Sequence, residues 1–156
     1  MSDAVPRVAV VGAGIFGALS AVRLAEAGFR VEVFDPAGLL TGASRNNLNR
    51  LHLGFHYPRD LATARQCANG FPAFRRVFRD AVRDDFTSCY AVASEGSRTS
   101  AADYAAFCEV LGVPYETVQR DAVRPPLENV ALVVRCAEAV YDVSILRRIV
   151  AARMRR

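Results

Sequence analysis

The run Gly12-Ala13-Gly14-Ile15-Phe16-Gly17 sets three glycines at the G-x-G-x-x-G spacing. That spacing suits the holding of a diphosphate against bare backbone. The first glycine permits a tight turn, the second lets the backbone approach a pyrophosphate, and the third lets a helix pack closely on strands. A helix opening at Ile15 would add unpaired N–H groups and a partial positive charge at the same point. Asp35 follows about 20 residues later, at the end of the next apolar run. A carboxylate there can accept both hydrogen bonds of an adenosine ribose diol, and it repels a 2′-phosphate. The expected dinucleotide contacts are therefore Gly12, Gly14, Ile15, Phe16, Gly17 and Asp35. Nothing in this unit separates FAD from NAD.

The elements that must position these residues are legible around them. Arg7 to Val11 is apolar and β-branched, the pattern of a short buried strand. Leu19, Val22 and Ala25 recur at helical spacing up to Ala27, and Gly28 supplies a stop. A second strand is expected from Arg30 to Phe34, ending at Asp35-Pro36. Strand, helix and strand in so short a span make one parallel βαβ unit over residues 7–35.

A polar, glycine-containing stretch follows to Pro58. The spacing then predicts a helix from Asp60 to Val82, kinked or split at Gly70 and Pro72, with Phe71, Phe74 and Phe78 as core. Further expectations are a strand over Ser88–Ala93 and a helix opened by Ser100 and Asp103 and closed by Gly112. A strand over Val130–Cys136 and a last helix capped by Asp142 and reaching Arg156 complete them. The fold class expected is α/β: a Rossmann-like, doubly wound parallel sheet with an inserted α+β segment over residues 37–141 and a terminal helix over 142–156.

Beyond the glycine loop, Ser44 can donate to a phosphate oxygen and Arg45 can offset its charge. Asn46, Asn47 and Asn49 offer amides or simply make turns, and a solvated loop is the alternative for each. Arg50 suits a carboxylate or a developing negative charge. His52 and His56 are the only histidines. Gly54 between them and Tyr57-Pro58 after them argue against a shared helical face, and no third metal ligand stands out, so no metal site is assigned. The readings left are packed or hydrogen-bonded histidines, or a ligand-facing role.

The segment VAVVGAGIFGALSAVRLAEAGFRVEVFD resembles the N-terminal fingerprint of FAD-dependent oxidoreductases, above all the D-amino acid oxidase and glycine oxidase superfamily. Gly42-Ala43-Ser44-Arg45-Asn46-Asn47 looks like that superfamily's small-residue loop beside the flavin, and His52-Leu53-Gly54-Phe55-His56-Tyr57-Pro58 extends the likeness more weakly. Members have Glu more often than Asp at the position of Asp35. The resemblance implies FAD as cofactor, with Ser44, Arg45 and Asn46 joining the cofactor contacts. It also implies hydride transfer from an amine or amino acid to flavin, with His56 and Arg50 as catalytic candidates. An NAD-dependent dehydrogenase and an inactive nucleotide-binding remnant are the alternatives. The resemblance further leads us to expect an incomplete unit, needing a C-terminal segment or a partner chain for turnover.

Composition sets the outer bounds. The chain has 156 residues, 52% hydrophobic and 23% charged, the make-up of a packed domain rather than a disordered one. All 20 basic residues are Arg, which excludes Schiff-base and Walker-type sites that need lysine. The net charge of +4 comes from scattered arginines, clustered only at Arg147, Arg148, Arg153, Arg155 and Arg156, and this does not read as a nucleic-acid footprint. Four separated cysteines form no CxxC pair, and neither a signal peptide nor a membrane span is recognisable. The expected location is the cytoplasm.

Overall fold

The apolar run RVAVV forms strand β1 (Arg7–Val11), Ile15–Glu26 forms helix α1, and RVEVF forms strand β2 (Arg30–Phe34). The two strands pair in parallel, from Arg7 opposite Arg30 to Val11 opposite Phe34. Helix α1 buries Ala18, Ala21 and Val22, and ends where Gly28 takes a left-handed φ of 91°. The computed structural model describes residues 5–155. It divides the chain into two units: Met1–Asn49 with Tyr141–Arg156, and Arg50–Val140.

The first unit is the βαβ element plus the last helix, which packs against α1 and buries Leu146 and Val150. This is the α/β, Rossmann-like arrangement of parallel strands and helices.

The second unit is α+β. In chain order it contains β3 (Arg50–Leu51), α2 (Leu61–Val77), β4 (Val82–Arg83), β5 (Ser88–Ala93) and α3 (Ala101–Leu111). It continues with β6 (Tyr115–Val118), β7 (Val130–Cys136) and β8 (Ala139–Tyr141), after which α4 (Val143–Met154) closes the chain in the first unit. Strands β5, β7 and β6 make an antiparallel sheet in that order, while β3, β8 and β4 make a second, smaller one. Phe55, Ala64, Tyr104, Phe107, Cys108 and Val134 are among its buried core.

Local sequence signals act as their chemistry dictates. Ser100 caps α3 by accepting from the Asp103 amide at 3.0 Å and donating to the Asp103 carboxylate at 2.7 Å. Asp142 caps α4 by accepting from the amides of Ser144 and Ile145. Ser100→Ala should lower stability by about 1 kcal/mol, read as a shifted urea midpoint with unchanged slope.

Two expectations are corrected. Strand β1, expected to be buried, alternates exposed and half-buried residues, because β2 is its only neighbour in the sheet among the described residues. Helix α2 is not split at Gly70 or Pro72 but runs unbroken to Val77, and a short 3-10 turn over Arg79–Ala81 follows. Proline removes one backbone donor, and its ring lies on the exposed side, while Ala64 and Phe71 bury the helix on either side of Gly70. The terminal helix is traced to Met154; Arg156 lies outside the described residues.

Candidate functional site

In the first unit, three hydrogen bonds stitch the glycine loop to the end of β2 and the turn after it. Gly12, at φ 100°, donates its amide to the Phe34 carbonyl at 2.7 Å. The Ala13 amide donates to Asp35 Oδ2 at 2.8 Å, and the Ala13 carbonyl accepts from the Leu40 amide at 2.9 Å. Asp35 Oδ1 accepts from the amides of Ala37 and Gly38, each at 2.8 Å. These contacts, the Ala13 amide foremost, hold the Asp35 carboxyl below its usual value. A carboxylate offers about four acceptor positions, so three amides leave one, fewer than the two expected for both hydroxyls of a ribose diol. From the sequence Asp35 is expected to meet a ligand; the structure also makes it the latch of the loop. A short side chain explains this, because aspartate turns back to backbone that a glutamate would overreach.

Gly17 and Gly14 have different neighbours. A Cβ on Gly17 would lie 2.0 Å from the Gly12 carbonyl oxygen, so only glycine lets α1 start this close to the loop. A Cβ on Gly14 would meet Ser44 Oγ at 3.4 Å. Ser44 stands over the helix start and accepts from the Ile15 amide at 3.0 Å. Gly14 caps α1 with no side-chain bond, and Phe16 is exposed.

Arg45 and Asn46 are exposed in a turn in which both amides donate to the Gly42 carbonyl. Arg45, Leu40, Ser144, Arg147 and Arg148 line a cleft of about 420 Å³. By sequence, Arg147 and Arg148 belong to an arginine cluster at a helix end, read as solvated or C-capping. A bare, glycine-built loop at a helix start, flanked by a serine hydroxyl and a carboxylate, fits the diphosphate and ribose of a dinucleotide.

In the second unit one catalytic candidate, Arg50, and the neighbouring His52 meet on a residue that sequence reasoning missed. Glu138, with a side chain only 1% exposed, accepts from Arg50 Nη2 at 3.2 Å, Tyr90 Oη at 2.6 Å and the Leu53 amide at 2.7 Å. His52 Nδ1 is 3.3 Å from the same carboxylate. The Arg50 guanidinium also lies 5.1 Å from the centre of the Tyr90 ring. His56 stacks on His52 with ring centres 5.3 Å apart, and Tyr57 meets His56 edge-on at 5.2 Å. Among the described residues no cluster of three metal-ligating side chains is found. One signal could have pointed to Glu138: it is the only charge in the apolar run CAEAVY. A carboxylate in such a run needs a buried partner.

Burial alone would raise the Glu138 pKa, but hydrogen bonds from His52, Tyr90 and Leu53 outweigh it and hold the group below the usual range. Burial and the neighbouring carboxylate push the Tyr90 phenol well up, which keeps it a donor. A depressed folded-state pKa gives stability that is complete above the unfolded value, near pH 4.3, and lost as pH falls through the folded value. The stability gap between the wild type and Glu138→Gln should therefore narrow once pH drops below about 4, as urea midpoints across pH would show.

Comparison with known proteins agrees with these features. The family profile for FAD dependent oxidoreductases, DAO, matches residues 7–152. The FAD-dependent monooxygenase FPY4 of Fusarium mangiferae is 35% identical over 115 residues, covering 73% of this chain and 31% of that protein. The crystal structure of L-proline dehydrogenase from P. horikoshii superposes with a TM-score of 0.75 at 15% identity, covering 97% of this chain and 42% of that one. Glycine oxidase from Geobacillus kaustophilus gives 0.68 at 18% identity, covering 96% and 45%. The chain thus spans under half the length of each of these proteins.

Proposed function

The chain belongs to the FAD-dependent oxidoreductase family, and from that premise we propose that its first unit binds the ADP half of FAD. The protein it represents would then oxidise an amine or amino acid. The observation that carries this reading is the glycine loop latched by Asp35, with Gly17 packed on Gly12 and Ser44 over the helix start. Gly12, Gly14, Ile15, Phe16 and Gly17 would hold the diphosphate, with Ser44, Arg45 and Asn46 beside it and Asp35 at the ribose. FAD supplies the hydride acceptor when bound. Arg50 would orient an anionic substrate group, and His56 would contact the substrate. A free amine loses its proton to solvent, so no strong protein base is required. The substrate is read as a small molecule and the location as cytoplasmic. No helix among the described residues is long and apolar enough to cross a membrane.

Calorimetric titration of the purified chain with FAD, NAD and NADPH tests the reading. FAD should bind saturably and NADPH should not, because Asp35 disfavours a 2′-phosphate. Gly14→Val and Asp35→Ala should each weaken FAD binding roughly tenfold or more. At Gly14 the added Cβ alone would lie 3.4 Å from Ser44 Oγ. Tight NADPH binding, or unchanged FAD affinity in both variants, would overturn it.

A further inference from the structure

Four groups on two strands and a loop reach one buried carboxylate: Arg50 on β3, His52 and Leu53 just after it, and Tyr90 on β5. We propose that Glu138 is the positioning residue of this edge, aiming the Arg50 guanidinium and dictating which ring nitrogen of His52 carries the proton. The assignment rests on reading Arg50 and the histidines as the ligand-facing side chains.

The proton count fixes the geometry. A carboxylate accepts and does not donate. Tyr90 Oη gives its one proton to Glu138 Oε2 at 2.6 Å, so at 3.4 Å it has none to offer His52 Nδ1. The 3.3 Å contact between Nδ1 and Oε2 is then an N–H donating, and in the neutral ring Nε2 is left as an acceptor. Arg50 spends Nη2 on the same oxygen, on Tyr90 Oη at 3.1 Å and on Ser88 Oγ at 3.5 Å. The side chains of Arg50 and His52 stay 27% and 21% exposed, so the remaining guanidinium N–H groups and Nε2 are what a ligand can meet. Without Glu138 the guanidinium would keep only Tyr90 and Ser88 as partners, the imidazole would be free to turn, and free imidazole favours the opposite tautomer.

The test reads the tautomer directly and needs no flavin, so its failure is distinct from failure of the dinucleotide reading. Long-range proton–nitrogen NMR of the 15N-labelled chain resolves the ring nitrogens, and His52→Gln assigns them, since there are two histidines. In the wild type, His52 should be the Nδ1–H tautomer. Glu138→Gln should move half or more of the population to Nε2–H. Tyr90→Phe, which removes a hydrogen bond to the same oxygen but keeps the carboxylate, should leave Nδ1–H in place. If Glu138→Gln does not fold, Glu138→Asp replaces it; the shortened carboxylate should release the ring in the same way. A wild-type His52 in the Nε2–H form, or a folded variant at Glu138 with an unchanged tautomer, would overturn the proposal.

Discussion

Gly17→Ala is expected to destabilise the first unit by about 3 kcal/mol and to abolish measurable dinucleotide binding. The added carbon would sit 2.0 Å from the Gly12 carbonyl oxygen and 3.0 Å from its carbon. Both are backbone atoms of the phosphate loop, so no side-chain rotation relieves the clash. Either α1 moves off the strands or the loop opens, and each removes the surface a diphosphate would use. Gly70→Ala is the control. Gly70 is exposed within α2, and a Cβ added there would meet nothing within 4 Å, so alanine should stabilise by about 0.5–1 kcal/mol. Urea unfolding of both variants, with an FAD titration, separates a local clash from a general intolerance of substitution. Equal stability of the two variants would remove the close-approach argument.

Glu138→Leu should cost about 3–5 kcal/mol, the largest single effect expected in the second unit. The leucine fills the space but leaves the Arg50 charge uncompensated. It also strands the Tyr90 hydroxyl and the Leu53 amide as half-buried donors. Because these groups share one acceptor, the losses will not add. Tyr90→Phe should cost clearly less in the Glu138→Leu background than in the wild type, where it breaks a 2.6 Å hydrogen bond. A double-mutant cycle on urea midpoints measures the difference, and a coupling near zero would mean that the carboxylate does not organise the cluster.

The amino-acid sequence by itself determined the features whose causes lie within a few residues. The β-branched runs became β1 and β2, the glycine spacing placed the loop between them, and Ser100, Asp142 and Gly112 set helix ends through hydrogen bonds or a left-handed turn of 72° at Gly112. The position of Gly17 alone points to close packing, and the structure supplies the partner, the Gly12 carbonyl. Periodicity also placed Phe71 and Phe78 in the core. It overestimated Gly70 and Pro72 as breakers, since burial on either side of Gly70 outweighs one lost backbone bond.

Tertiary structure decided what depends on distant partners. Strands β3 and β8 have two and three residues, too few for an alternation to register, and they exist because each supplies the other's backbone partners across some 90 residues. The Arg50–Glu138 contact spans 88 positions and the Tyr90–Glu138 contact 48, so no local pattern announces either. Asp35 shows the division within one residue. Its place after β2 was readable, but its grip on the Ala13 amide depends on the loop folding back within reach of a short side chain. Local propensities are summed over neighbours along the chain; a buried carboxylate is satisfied only by whatever donors the fold brings to it.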